Sequence, residues 1–144
     1  MLGVVALASP VVQTARSHPW GLSSYTPLVG GAAGAATLGL NRTFWGYTTG
    51  SVTAYLNQAP PGTPVFLHDT LPASWDMLQA DGRVRRDLRA TMSIDASNAA
   101  LYHHEQHMAG VEHQTWIAYE TCRPDHIAGL DGVPVIWVYK RPGK

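Results

Sequence analysis

The dipeptide Asp131-Gly132 constrains this chain more than any other feature. It lies between two apolar runs, residues 126–130 and 133–139. An Asp-Gly pair between such runs accepts the left-handed backbone of a two-residue turn, and so predicts a β-hairpin. Its second arm, VPVIWVYKR, is the clearest strand in the sequence. A lone hairpin is marginal in water and needs more strands or a helix against it. The upstream sequence offers both. APPGTP (59–64) is a sharp break, and PVFLH (64–68) after it reads as a buried strand. Residues 72–80 read as a helix with Thr70 in a capping position, closed by Asp81-Gly82, and residues 87–93 as a second strand. Residues 99–104 fit a strand or the start of a helix, and residues 110–121 fit a helix. This alternation predicts an α/β fold. It is a three-layer sandwich with a mostly parallel sheet and an antiparallel C-terminal hairpin, preceded by a Gly/Trp-rich irregular segment.

The sequence divides into an apolar segment (1–16), a Gly- and aromatic-rich collar with short helices (17–58) and the α/β unit (59–144). In the collar, residues 28–40 predict a weak helix of small residues and residues 51–58 an amphipathic helix capped near Ser51. The run LGVVALASPVV (2–12) carries no charge and is shorter than the about 20 residues that span a bilayer. No basic residue precedes it, as one would in a signal peptide. It reads either as a buried core segment or as the end of a longer transmembrane helix, with Arg16 and His18 at the water interface. Ten basic and ten acidic residues give a net charge of +0, which removes the usual electrostatic case for nucleic acid or an anionic membrane. The single cysteine, Cys122, excludes an internal disulfide and reads as a partly buried thiol.

Five of seven histidines fall between residues 103 and 126. On a helix, His103 and His107 would stand one turn apart, the spacing of a zinc pair. On a strand, His103 and His104 would point to opposite faces and the pair would dissolve. A zinc site built on His103, His107 and His113, with Glu105 as a further donor, is therefore one alternative. Solvated or locally hydrogen-bonded histidines are the other. GGAAGAA (30–36) follows no clear strand and no Walker lysine follows it, so it reads as close helix packing or a surface turn. Asp69 follows the first strand, at the end where ligands bind in open α/β sheets. Its competing role is the N-cap of the helix over 72–80. Trp45 and Tyr47 could stack a sugar or base, or could serve as core or membrane-interface aromatics. No G-x-S-x-G elbow and no other catalytic constellation is present.

The segment HPWGLSSYTPLVGG…GA…LGLNRTFWG (18–46) resembles a stretch of bacterial integral-membrane glycosyltransferases, the dolichyl-phosphate-mannose–protein mannosyltransferase-like and aminoarabinose transferase-like proteins. There the last transmembrane helix leads into a similar pattern. Pro19, Leu22, Ser23, Tyr25, Gly30, Gly31, Gly34, Ala35, Gly39, Thr43, Phe44, Trp45 and Gly46 carry the likeness, and DGVPVIWVYKR (131–141) is similar to the family's closing segment. Thr26 stands where the family has Asn, and Asn41 where it has Glu. The resemblance implies an extracytoplasmic (periplasmic) domain at the inner membrane, attached to the rest of an enzyme that takes sugar from a polyprenyl phosphate. It implies catalytic acidic residues in an early loop outside this chain. The expected function is thus a non-catalytic accessory domain assisting acceptor binding, with no cofactor, no nucleic acid, and Trp45, Tyr47 and Asp69 as contacts. Two alternatives stand beside it: a free-standing protein with the histidine zinc site, and a self-associating interaction module.

Overall fold

The computed structural model describes residues 10–143 apart from Arg16, Pro19 and Trp20. The reading of the apolar run therefore falls outside the described residues up to position 9, and so does a membrane-surface role for Trp20. Residues 10–15 are helical, and among the described residues no helix is long and apolar enough to cross a membrane.

The sheet has five strands: β1 (Pro64–Leu67), β2 (Arg89–Thr91), β3 (Ala99–His103), β4 (His126–Leu130) and β5 (Val133–Lys140). Their order is β2-β1-β3-β5-β4. β1 is parallel to β2 and β3, while β5 runs antiparallel to both β3 and β4. Four strands thus point one way and β5 alone opposes them, which is the expected α/β sheet with its C-terminal hairpin. Asp131 (φ 49°) and Gly132 (φ 78°) both take the left-handed conformation that a type I′ turn requires. A bulge at Ala128/Gly129 shifts the hairpin register.

Strand alternation sends side chains into two buried clusters, one for each face. Val65, Leu67, Ala99, Leu101 and Val138 enter the first, with Trp75, Val84 and Leu88. Phe66, Ala100, Tyr102 and Tyr139 enter the second, with Met108, Val111 and Tyr119. Helix α3 (Pro72–Ala80) supplies Trp75 to the first and α4 (Ala109–Tyr119) supplies Val111 and Tyr119 to the second. The collar also belongs to the first cluster. Ala32 of α1 (Gly31–Thr37), Val52, and Leu56 of α2 (Thr53–Leu56) are buried there.

The structure departs from expectation in several places. The helix predicted over 51–58 is a 3-10 turn (Tyr47–Ser51) followed by the four residues of α2, because Gly50 and the β-branched Val52 and Thr53 are poor helix formers. Ser51 donates to the Thr48 carbonyl and does not cap. α3 is capped by Leu71 without a side-chain bond, so neither Thr70 nor Asp69 is its cap. Cys122 is exposed. The ambiguous segment 99–104 resolves as β3, whose five residues are all buried.

Candidate functional site: a histidine and a carboxyl pair at the strand ends

β1 leads through α3 to β2 on one side of the sheet, whereas β3 leads through α4 to β4 on the other. The carboxyl ends of β1 and β3 are therefore a topological switch point, where diverging connections leave a crevice. Three segments meet there: His68-Asp69-Thr70 after β1, His103-His104-Glu105 at and after β3, and Thr43–Thr49 from the collar. Gly46 joins them. Its φ is +64°, and a Cβ at this position would stand 2.7 Å from the Thr70 nitrogen and 2.8 Å from the Asp69 carbonyl carbon and oxygen. Only a residue without a side chain lets the collar backbone lie this close, and the approach sets Trp45 beside the strand ends.

His103 is the last residue of β3 and lies on the same face as Ala99 and Leu101, the strand period being two. It is fully buried and ringed by threonines. Its Nδ1 is 3.1 Å from Thr48 Oγ1, and its Nε2 is 3.2 Å from Thr70 Oγ1 and 3.4 Å from Thr49 Oγ1. Thr43 Oγ1 lies 3.1 Å from Thr48 Oγ1, Thr70 Oγ1 lies 2.6 Å from Thr49 Oγ1, and Thr49 donates to the Gly46 carbonyl at 2.7 Å. One proton assignment satisfies every group. Thr43 donates to Thr48, which donates to Nδ1. Nε2–H donates to Thr70 and Thr49, Thr70 donates to Thr49, and Thr49 donates to Gly46. The ring thus holds a neutral imidazole with its proton on Nε2, and a second proton on Nδ1 would oppose the Thr48 donor. Burial agrees: it holds the His103 pKa down to about 4, against the upward pull of Asp69, with His107 and His68 adding to the depression.

Asp69 and Glu105 stand beside this ring. The Glu105 side chain is 4% exposed, and its Oε1 and Asp69 Oδ2 are buried with no N–H or O–H donor against them. A hydrogen bond between the two side chains would need a proton on one carboxyl group. Burial, then the Asp69 charge and that hydrogen bond, push the Glu105 pKa up to about 7, and the Trp45 backbone N–H, which donates toward Glu105, draws it partly back. His107 closes the outer side, with Nδ1 3.5 Å from Glu105 Oε2 and Nε2 3.9 Å from Asp69 Oδ1. Trp45 meets the pair through its backbone, while the residue as a whole is 76% exposed.

The structure brings Trp45 and Asp69 together around Glu105. Tyr47 does not join them through its hydroxyl, which donates to Ser23 Oγ at 2.7 Å, and burial raises its pKa. The helical His103–His107 pair is absent, because β3 ends at His103 and His107 lies in a separate 3-10 turn, Gln106–Met108. His113 is exposed on α4, its ring set edge-on to Trp116 with centroids 6.2 Å apart. Among the described residues no three His, Cys, Asp or Glu side chains are grouped to hold a metal ion. In GGAAGAA, a Cβ on Gly34 would overlap the Val29 carbonyl, which makes the stretch a packing element. Sequence reasoning missed the threonine ring and gave Glu105 only a zinc role. The available signal was the Thr48-Thr49 pair directly after Phe-Trp-Gly. Comparison of the chain with protein-family models, curated proteins and solved structures gives no match.

Proposed function

We propose that this chain is a non-catalytic accessory domain of a polyprenyl-phosphate-sugar-dependent membrane glycosyltransferase, and that the Asp69–Glu105 pair assists binding of a hydroxyl-bearing acceptor. The observation that carries the binding role is the pair of buried, unpartnered carboxyl oxygens at the switch point, Asp69 Oδ2 and Glu105 Oε1, with the exposed Trp45 in the adjoining collar segment. A hydroxyl is donor and acceptor at once, and a carboxyl group beside a carboxylate offers both complements. An indole face suits the apolar side of a sugar ring. The accessory role rests on the resemblance of residues 18–46 and 131–141, which places the family's catalytic acids in a loop outside this chain. In this reading the partner is the remainder of the enzyme, at the extracytoplasmic side of the inner membrane.

The test uses a parent enzyme carrying this domain, with transfer measured against acceptor concentration. The double variant Asp69→Asn/Glu105→Gln and the single variant Trp45→Ala are expected to raise KM about tenfold and leave kcat within about twofold. Unchanged transfer after removal of the domain overturns the accessory role. A loss confined to kcat overturns the binding role.

A further inference from the structure

Asp69 and Glu105 follow the ends of β1 and β3. Where those two strands begin, at the opposite end of the sheet, lies a cleft of about 290 Å³. That volume is at the lower bound for a small-molecule site. One wall is the turn 60–64, whose backbone Pro60, Pro61 and Pro64 restrict. The other walls bring in Arg89 of β2, Asn98 just before β3 and Lys140 of β5. Strand pairing sets these residues at one level: Pro64 stands opposite Arg89, Val65 opposite Ala99, and Ala99 opposite Lys140. Among the described residues no Asp or Glu lines the cleft.

The side-chain donors of the cleft are largely unspent. Arg89 donates through Nε to the Gly62 carbonyl at 3.2 Å, and its Nη groups have no partner among the described residues. The Lys140 ammonium has only the Tyr55 ring, 4.5 Å from the ring centroid. The Asn98 side-chain amide has no partner among the described residues, while its backbone is fixed to the Pro64 carbonyl and the Arg141 N–H, each at 2.9 Å. Neither Arg89 nor Lys140 makes an ion pair among the described residues. Asp87, close to Arg89 in sequence, is already held by Arg85 and by the Gly62 N–H.

We infer that this cleft binds a small phosphate-bearing ligand, with Arg89, Asn98 and Lys140 as its donors. Two cations without a carboxylate select an anion. A phosphate group has an oxygen for each of the three donors, whereas a carboxylate has too few. The proline turn holds its wall in place before a ligand arrives, which lowers the cost of binding. The acid pair and the glycosyltransferase reading play no part in this argument, and their failure leaves it standing.

The full chain is titrated with inorganic phosphate at constant ionic strength, and its backbone amide resonances are followed by NMR. Saturable shifts are expected at Gly62, Thr63, Arg89 and Asn98. Arg89→Gln/Lys140→Gln is expected to weaken binding at least about tenfold, and Arg89→Gln alone, at an exposed position, about threefold. The control Arg86→Gln/Arg123→Gln removes the same charge at exposed positions outside the cleft and is expected to bind as the parent does. Equal weakening in the control, or shifts that do not saturate, overturns the inference. So does acetate, if it produces the same shifts at the same ionic strength.

Discussion

The collar and the strand unit place polarity on opposite sides. In the strand unit, Val65, Leu67, Leu101 and Val138 are inside and all the carboxylates of the chain lie on its surface or at its strand ends. In the collar, Thr43, Thr48 and Thr49 are buried while Leu22, Leu28 and Leu38 face outward. The difference teaches what each half packs against. The strand unit buries apolar side chains on both faces of its sheet. The inner side of the collar meets a strand end that carries a histidine, and hydroxyl groups satisfy it where alkyl groups would not.

The comparison breaks first at the ordinary core. Trp75→Ala should destabilise the chain by about 4 kcal/mol in denaturant unfolding, since the side chain is 1% exposed within the first cluster. Gly46→Ala should cost about 2 kcal/mol or more, through its left-handed backbone and its contact with Asp69 and Thr70. It should also shift tryptophan emission if Trp45 is displaced from the strand ends. An unchanged midpoint would mean that the two halves are not joined there. Thr48→Val keeps the shape of the ring but removes the donor to His103 Nδ1, with an expected cost of about 1–2 kcal/mol. A neutral result would show the buried polarity of the collar to be incidental. Leu28→Ser should change stability by less than about 0.5 kcal/mol, because its side chain is almost wholly exposed.

The pH dependence sharpens the same contrast. His103 falls from an ordinary 6.5 to about 4 on folding, so the unfolded chain binds the proton first and acid destabilises the fold between those values. Glu105 rises from 4.5 to about 7, so here the folded chain holds the extra proton and stability falls as pH rises between those values. From pH 4.5 to 6.5 the two slopes oppose each other. Glu105→Gln removes the second slope, and its denaturation midpoint should climb with pH through this window more steeply than that of the parent. Parallel profiles would sink the assignment of the raised carboxyl to Glu105.

The strand unit was legible because its signals are local. Asp131-Gly132 fixes the hairpin within ten residues, and APPGTP announces β1. β2 is shorter than the predicted 87–93, since an edge strand of three largely exposed residues has little apolar pattern to mark its ends. The position of Asp69 beyond β1 was readable from fold logic, and the structure frees it from the competing capping role. The threonine ring was not legible. His103 and Thr48 are 55 residues apart in sequence, and Thr43, Thr48 and Thr49 lie in a segment without a helix or strand period. Their convergence depends on Gly46 against Thr70, which is tertiary information. Glu105 was hidden for a related reason: its partner, Asp69, follows another strand.

The sheet order has a consequence for synthesis. β5 is made last of the five strands yet lies between β3 and β4. Until residues 133–140 leave the ribosome, β3 keeps an open edge and β4 has no neighbour. The nascent chain can pair β1 with β2 and β3 as it emerges, but β4 and its helix must wait beside an unfinished sheet. Growth from the N-terminus therefore leaves the backbone edge of β3 bare until the last strand is made, the kind of edge that invites strand exchange or chaperone capture. The sheet closes in one late step, when the final strand slides into the gap and joins both sides at once.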